Sequence, residues 1–458
     1  MEHEKEKAGS GTTPHADEHQ IESLQQPPND EMGEGKKATM MSDLEIQKSI
    51  QGEAHFHRLG WKRMTIILIV QSIALGSLSI PKAFAILGMV PGVITCVCMG
   101  FVAIYAAFIV GLVKLKYPHV AHYVDAGQLL MGRFGERVFT FAFVILLVFV
   151  VGSHCLTGTI AFIKITGSSI CSLTFGVVSA IILLLCAVPP SFTELAILGY
   201  IDFASILHPG PSGGCDTLVG VGEPNLTFTE ALVAISNIVF AYAFAGAQFS
   251  FMSEMHTPKD YTKSILALGS AQVLIYTITG AVIYSFVGQT VQSPALLSTS
   301  PLISKIAFGC ALPVIFISGA NNTTVVCRFL HGRIYKDTVV QYVNTTKGWV
   351  TWIITITGIT ILSWVVAEAI PFFSELLGLC AALFVSGFSF WIPPIMWFRL
   401  LKEGHWYEYH NIVRAVFNLM VFIIGFFVFV CGTYSSIDEI IMKFHSGDIS
   451  RPFSCNVA

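Results

Sequence analysis

Charge is what this sequence has least of. Asp, Glu, Lys and Arg supply 12% of its 458 residues, where a soluble chain usually carries about 25%. Water is therefore a poor solvent for most of this surface. The formal net charge of -3 is too small to steer a partner, and no basic stripe with interleaved aromatics marks a nucleic-acid face. The eleven cysteines lack CxxC spacing, and most sit in apolar stretches (Cys96, Cys98, Cys155, Cys186, Cys310, Cys327, Cys380 and Cys431), where a cysteine behaves as a small hydrophobe. No metal or cofactor is expected from such a pattern. The apolar runs hold neither an HxxxxD-like nor an HExxH pattern, as a membrane-embedded enzyme would need. They show no repeated pore helix or filter either, as a channel would.

Long apolar runs are missing only from the start. Met1–Gln51 is rich in Glu, Lys, His, Gln and Gly; it cannot bury enough surface to offset its ordering entropy, so residues 1–55 are expected to be a disordered cytoplasmic tail. The charged start has no apolar core of the signal-peptide kind. Residues 56–440 are expected to form the membrane domain, and 441–458 a short C-terminal tail.

What is present is hydrophobicity, 53% of the chain, arranged in runs. A spanning helix needs about 20 apolar residues. Candidate spans are Met64–Phe84, Leu87–Val113, Val138–Ile163, Leu173–Val188, Thr229–Ser253, Ser264–Val287, Leu302–Phe329, Trp349–Val366, Phe372–Phe398 and Ile412–Thr433. An all-α polytopic membrane protein follows, embedded in a lipid bilayer.

Flanking basic residues orient it. Arg58, Lys62 and Arg63 put the N-terminus in the cytoplasm. Lys114, Lys116, Arg133 and Arg137 mark one cytoplasmic connection. Lys259 and Lys263, then Arg328, Arg333, Lys336 and Lys347, then Arg399, Lys402 and Arg414 mark three more. Between the first of these connections and the one at Lys259, the crossings must be even in number, yet only three candidates lie there. Glu194–Leu207 is the stretch left to supply a fourth. At about 1.5 Å per residue it reaches only about 21 Å of the roughly 30 Å hydrocarbon core, and it runs into His208-Pro209-Gly210. About eleven spans with a shortened fifth are expected. The loop after it has no Lys or Arg and carries the sequon Asn225-Leu226-Thr227, as suits a non-cytoplasmic loop. Cys215 and Cys455 would share that side, as unpaired thiols or as a disulfide; unpaired thiols are the expectation.

Two spans look interrupted. The first contains Leu75-Gly76-Ser77-Leu78-Ser79-Ile80-Pro81, where proline removes a donor and clashes with the preceding turn. Either this is a simple kink or an unwound hinge whose bare backbone groups bind a zwitterion. The span from Thr229 holds Phe240-Ala241-Tyr242-Ala243-Phe244-Ala245-Gly246-Ala247-Gln248, small residues alternating with aromatics. Interruptions in spans one and six are what a 5+5 inverted repeat produces, with substrate held between them. Gly76, Ser77, Leu78, Ser79, Tyr242, Phe244 and Gly246 are the candidate substrate-binding residues.

From about Phe56 to Ile440 the chain resembles fungal neutral amino-acid permeases of the methyltryptophan-resistance type, in the amino acid/auxin permease family. The matching stretches are Gly76-Ser-Leu-Ser-Ile-Pro81, Gly152-Ser-His-Cys-Leu-Thr-Gly-Thr-Ile160, Phe251-Met-Ser-Glu-Met-His-Thr-Pro-Lys-Asp260, Phe308-Gly-Cys-Ala-Leu-Pro-Val-Ile-Phe-Ile-Ser-Gly319 and Ala367-Glu-Ala-Ile-Pro-Phe-Phe-Ser374. The resemblance implies a LeuT-type fold, eleven helices, the plasma membrane, and symport of neutral aliphatic and aromatic amino acids with protons. It also implies more apolar residues after Ile206 than this chain has, so a deletion is expected there, and a non-transporting variant with a defective fifth helix is the alternative reading.

Other polar residues sit inside spans, where they are costly. His154 is a candidate for substrate contact and for carrying the coupling proton, or else a hydrogen-bonded core histidine. Asn322 and Thr323, within Asn321-Asn322-Thr323-Thr324, fit either a cation site (sodium being the alternative coupling ion) or interhelical hydrogen bonds. Glu254 suits an inner gate paired with a Lys or Arg, or a solvated helix end. Glu368 and Glu375 suit an outer gate. Glu194 and Asp202 are further proton candidates.

Overall fold

The computed structural model describes residues 60–190, 226–336, 338, 340, 343, 345–445 and 452–455. The expected N-terminal tail, Glu194, Asp202 and the whole stretch Glu194–Leu207 lie outside them, as do Cys215 and Asn225. The described residues are helical and contain no strand. Helices α1 (Trp61–Leu87), α2 (Met89–Lys116), α3 (Tyr123–Thr166) and α4 (Ser172–Cys186) come first. A broken span follows: α5 (Phe228–Ala241), one tight turn at Ala243–Ala247, then α6 (Gln248–Ser253). Then come α7 (Tyr261–Val287), α8 (Pro301–Ile334), α9 (Thr346–Ala369), α10 (Phe373–Leu401) and α11 (Tyr409–His445).

Seven of these helices are long and apolar enough to span a bilayer; two bent pairs and the shorter apolar α4 complete the set. Each run expected from the sequence has its helix. In hydrocarbon a helix is the one open-chain form that satisfies its own backbone groups, so apolar length alone dictates these elements. Their starts follow local chemistry. Thr227 caps α5 by accepting from the Glu230 amide while its own amide donates to the Glu230 carboxylate at 3.0 Å, a reciprocal capping box. Gly132, at φ 62°, kinks α3, so Tyr123–Met131 precedes the spanning part.

Packing sorts the helices into two groups. α1 lies against α5 and α7, and α2 against α7; α3 lies against α4, α8 and α9. Corresponding helices of the two halves thus fall in the same group, as an inverted repeat requires. This is the LeuT-type arrangement, followed here through four helices of each half. Close crossings use glycine: a Cβ on Gly111 would fall 1.9 Å from the Tyr261 ring, so only hydrogen fits where α2 meets α7.

The basic connections gather at one end. Lys116 donates to the Leu400 carbonyl at 2.9 Å, Lys114 to Ser253 Oγ at 3.0 Å, and Arg333 pairs with Glu136. At the opposite end Cys171 and Cys455 form a disulfide. This corrects the expectation of an unpaired thiol for Cys455, whose partner comes from the α3–α4 turn, a contact between segments 284 residues apart that spacing does not reveal. Residues 452–455 lie across α4 and α9, with the Ser172 amide donating to the Cys455 carbonyl at 3.2 Å and the Phe453 ring against Trp364. The seven described spans from α4 to α11 separate the two cysteines.

Candidate substrate site between two bent helices

Both interruptions exist, and they face each other. The α5/α6 span bends by 45° where expected, between Ala241 and Ala243, with Phe244 and Gly246 inside the tight turn. The α1 bend of 47° falls between Ile69 and Ala74, one turn before the expected Gly76–Pro81. The reason is tertiary. Tyr276 Oη of α7 donates to the Ser72 carbonyl at 2.8 Å, and Ser318 Oγ of α8 donates to the Gln71 carbonyl at 2.9 Å. Side chains inserted into the helix ladder bend it. Pro81 itself stays within the helix, and the nearby Gly76 carbonyl accepts from Ser79 Oγ at 3.1 Å. Tyr276 Oη also reaches the Ala241 carbonyl at 3.2 Å, so one hydroxyl touches both bends.

Between the bends lies a small cavity. Its walls are mainly Leu75, Leu146, Leu147, Val150, Phe240 and Phe244, with Gln71, Ser72, His154 and Asn322 as the polar members. Among the described residues no charged side chain lines it. About 50 Å³ is free, against roughly 300–1,000 Å³ in a formed ligand pocket, so the site as it stands is too small for an amino acid. Gln71 Nε2 donates to Asn322 Oδ1 at 2.6 Å, and Asn322 Nδ2 to the Ser318 carbonyl at 2.9 Å. Gln71 Oε1 is buried with no hydrogen-bond partner, an acceptor left open beside the cavity. His154 is fully buried. Its Nδ1 lies 2.8 Å from the Val150 carbonyl and its Nε2 2.9 Å from Ser318 Oγ.

Of the residues singled out by sequence, His154, Phe244, Gly246 and Asn322 line this cavity; Gly76, Ser77, Leu78, Ser79, Tyr242 and Thr323 do not. Gly76 is a packing position, since its Cβ would lie 2.7 Å from Tyr276 Oη. Tyr242 points behind the bend, its hydroxyl 3.4 Å from Cys96 Sγ. Thr323 returns a hydrogen bond to the Gly319 carbonyl of its own helix. Gln71, Ser318 and Tyr276 were not singled out. Polar placement within apolar spans was their only signal, and dozens of serines and tyrosines share it.

Toward the basic end the cavity is sealed. One turn along α3, Phe139 and Phe143 pack with Tyr123, Phe249, Phe329 and Phe388, mostly edge to face, contacts worth about 0.5–1.5 kcal/mol each beyond burial. Beneath them Glu254, almost wholly buried, pairs with Arg328 of α8. Nearby, His122 Nδ1 meets Ser250 Oγ at 2.9 Å; burial pushes this imidazole down to about 4, against the pull of Asp125, so it is neutral near pH 7. Toward the other end, a recess of about 570 Å³ reaches Ile160 of α3 and carries Lys82, Glu230, Glu375, Glu439 and Lys443. Lys443 donates to Glu375 at 2.6 Å. Glu368, expected beside Glu375 at an outer gate, is not on this recess. It is turned into the α4–α9 contact, where a Cβ on Gly176 would fall 2.2 Å from its carboxylate.

Facing bends, a central cavity, one sealed end and one recessed end define a polytopic membrane carrier. Residues 57–438 match the family described as transmembrane amino acid transporter protein, and the chain belongs to that family: it is an integral multi-pass amino acid transporter and not an enzyme. It is 52% identical over 422 residues to an N amino acid transport system protein of Neurospora crassa, covering 88% of this chain and 90% of that one. It is 25% identical over 426 residues to a transmembrane transporter of Fusarium pseudograminearum, covering 90% of this chain and 89% of that one. Among solved structures, MhsT in complex with L-phenylalanine aligns at 13% identity and a TM-score of 0.47, covering 80% of this chain and 98% of that one. A nucleobase–cation symporter in a closed conformation aligns at 13% identity and 0.46, covering 85% and 93%.

Proposed function

We propose that this transporter carries neutral amino acids in symport with protons, with its basic end and N-terminus in the cytoplasm of a plasma-membrane carrier. The observation that carries the reading is the cavity lining: apolar walls, uncharged polar groups and one histidine. A charged substrate side chain would meet no counter-charge there, and an unpaired buried charge is strongly disfavoured. An aliphatic or aromatic side chain would meet Leu75, Leu146, Val150 and Phe244. The unpartnered Gln71 Oε1 suits a substrate ammonium. Because the free volume is so small, α1 and the α5/α6 span must part to admit substrate, the movement that broken helices allow.

His154 is the proton carrier of this reading, since it is the ionisable side chain that the described residues bring to the cavity wall. Asn322 and Thr323 act as interhelical hydrogen-bonders, and Glu254–Arg328 as the inner gate. The resemblance noted above supports the plasma membrane and the neutral substrate class.

The test is uptake of radiolabelled leucine and phenylalanine into proteoliposomes, with and without an inward proton gradient. Uphill accumulation that a protonophore abolishes is expected, and His154→Ala should retain no accumulation. Uptake that needs sodium and ignores pH would overturn the proton assignment. Saturable uptake of no amino acid would overturn the substrate class.

A further inference from the structure

We propose that Ser318 is the positioning residue that transmits the protonation state of His154 to the bend in α1. The inference rests on the proton-symport reading above and adds the route by which a proton changes the substrate site.

His154 Nδ1 faces the Val150 carbonyl at 2.8 Å; a carbonyl only accepts, so Nδ1 carries a hydrogen. Ser318 Oγ lies 2.9 Å from His154 Nε2 and 2.9 Å from the Gln71 carbonyl. A serine hydroxyl has one proton. If His154 is neutral, Nε2 is a bare acceptor and takes that proton, leaving the Gln71 carbonyl without its donor. If His154 is protonated, Nε2–H donates to Ser318 Oγ, and the hydroxyl is free to donate to Gln71. With one proton for each, both contacts become full hydrogen bonds together when His154 is protonated.

The receiving end is mechanically placed. Gln71 sits within the α1 bend, between Ile69 and Ala74. Its side chain lines the cavity and holds Asn322. Protonation thus ties α3, α8 and the bend into one network, and loss of the proton releases a backbone carbonyl beside the substrate. Gly319 lets α3 and α8 approach closely enough, since a Cβ there would lie 3.0 Å from that of His154.

Other charged groups do not take the role of Ser318. Cys155, next to His154 on α3, turns toward the Gly176 carbonyl of α4. Glu368 of α9 lies against Gly176. Lys82 of α1 opens on the recess, and Glu230 of α5 does the same. Arg328 of α8 pairs with Glu254, and Lys305 of α8 lies by Gly167.

The experiment compares uphill uptake, substrate exchange and the pH profile of uptake for wild type, Ser318→Ala and Ser318→Thr in proteoliposomes. Ser318→Ala should keep exchange, with a KM within about threefold of wild type. It should lose at least about tenfold of its gradient-driven accumulation and flatten the pH profile. Ser318→Thr, which keeps the hydroxyl, should restore both. Should Ser318→Ala fail to fold, Ser318→Thr is set against the isosteric Ser318→Val, and coupling must survive only in the former. A hydroxyl-free variant that concentrates substrate with the wild-type pH profile overturns the proposal. Wild type without any response to a proton gradient would instead sink the symport reading on which it stands.

Discussion

At the basic end, Glu254 and Arg328 pair beneath a layer of aromatic rings, their side chains 2% and 24% exposed; at the opposite end, Glu375 and Lys443 pair on the wall of a wide recess, 7% and 33% exposed. The difference decides what each pair does. A buried pair cannot trade its partner for water, so it holds its end shut until both groups move together. A pair whose lysine reaches solvent can open at little cost. The pair at the basic end is therefore the costlier to part, and the pair on the recess wall the cheaper. Alternating access from this state would require the aromatic layer and the buried pair to part on one side while the recess narrows on the other.

Breaking the buried pair should give the largest effect. Arg328→Ala leaves the almost wholly buried Glu254 carboxylate without its cationic partner, and should cost about 3–5 kcal/mol, read as a fall in the thermal unfolding midpoint of the detergent-purified protein and as loss of uptake. Replacing both partners by apolar residues of similar size (Glu254→Leu with Arg328→Met) should recover most of the stability, because no lone charge remains. Transport should not recover if the pair is a gate. Wild-type stability in Arg328→Ala would mean that the rings alone close this end.

Much of the comparison was legible in the sequence, and the parts that were not share a cause. Span positions, the bend near Gly246 and the clustering of basic loops follow from apolar length, small residues and charge, all local properties. The α1 bend was expected at Gly76–Pro81 because proline is a local signal. It lies at Gln71–Ser72 because Tyr276 and Ser318, more than two hundred residues away in sequence, supply hydrogens to its carbonyls. Glu368 and Glu375 are seven residues apart and read alike in sequence, yet one turns into the α4–α9 contact and the other onto the recess. The Cys171–Cys455 link is legible only once the α3–α4 turn and the C-terminal segment are brought together in space. His154 was visible as a costly polar residue. Its meaning depends on Ser318, which looks like any other serine in an apolar run.

The disulfide offers an intermediate test. Cys455→Ser removes the link between the α3–α4 turn and the C-terminal segment, and a native disulfide typically contributes about 2–4 kcal/mol. The hydrogen bonds of Ser172 to residues 454 and 455 remain, so the segment should loosen without detaching fully. Expected are a lower unfolding midpoint and a Cys171 thiol that reacts with a membrane-impermeant maleimide added outside the cell. Labelling from the cytoplasmic face instead would invert the proposed orientation, since Cys171 and the basic loops lie at opposite ends of α3.

The smallest effect is expected at the recess. Lys443→Ala removes the 2.6 Å contact to Glu375, but the lysine is about one-third exposed, so solvent already screens the pair; roughly 0–1 kcal/mol of stability is at stake. Glu375 then keeps water on the recess side, unlike Glu254 after Arg328→Ala. The sharper readout is kinetic. If this pair steadies the recess wall in the outward state, Lys443→Ala should change the uptake KM by less than about threefold and leave gradient-driven accumulation intact. A collapse of accumulation comparable to that of Arg328→Ala would make the two ends equivalent, and the distinction between a desolvated lock and a wet, replaceable contact would fail.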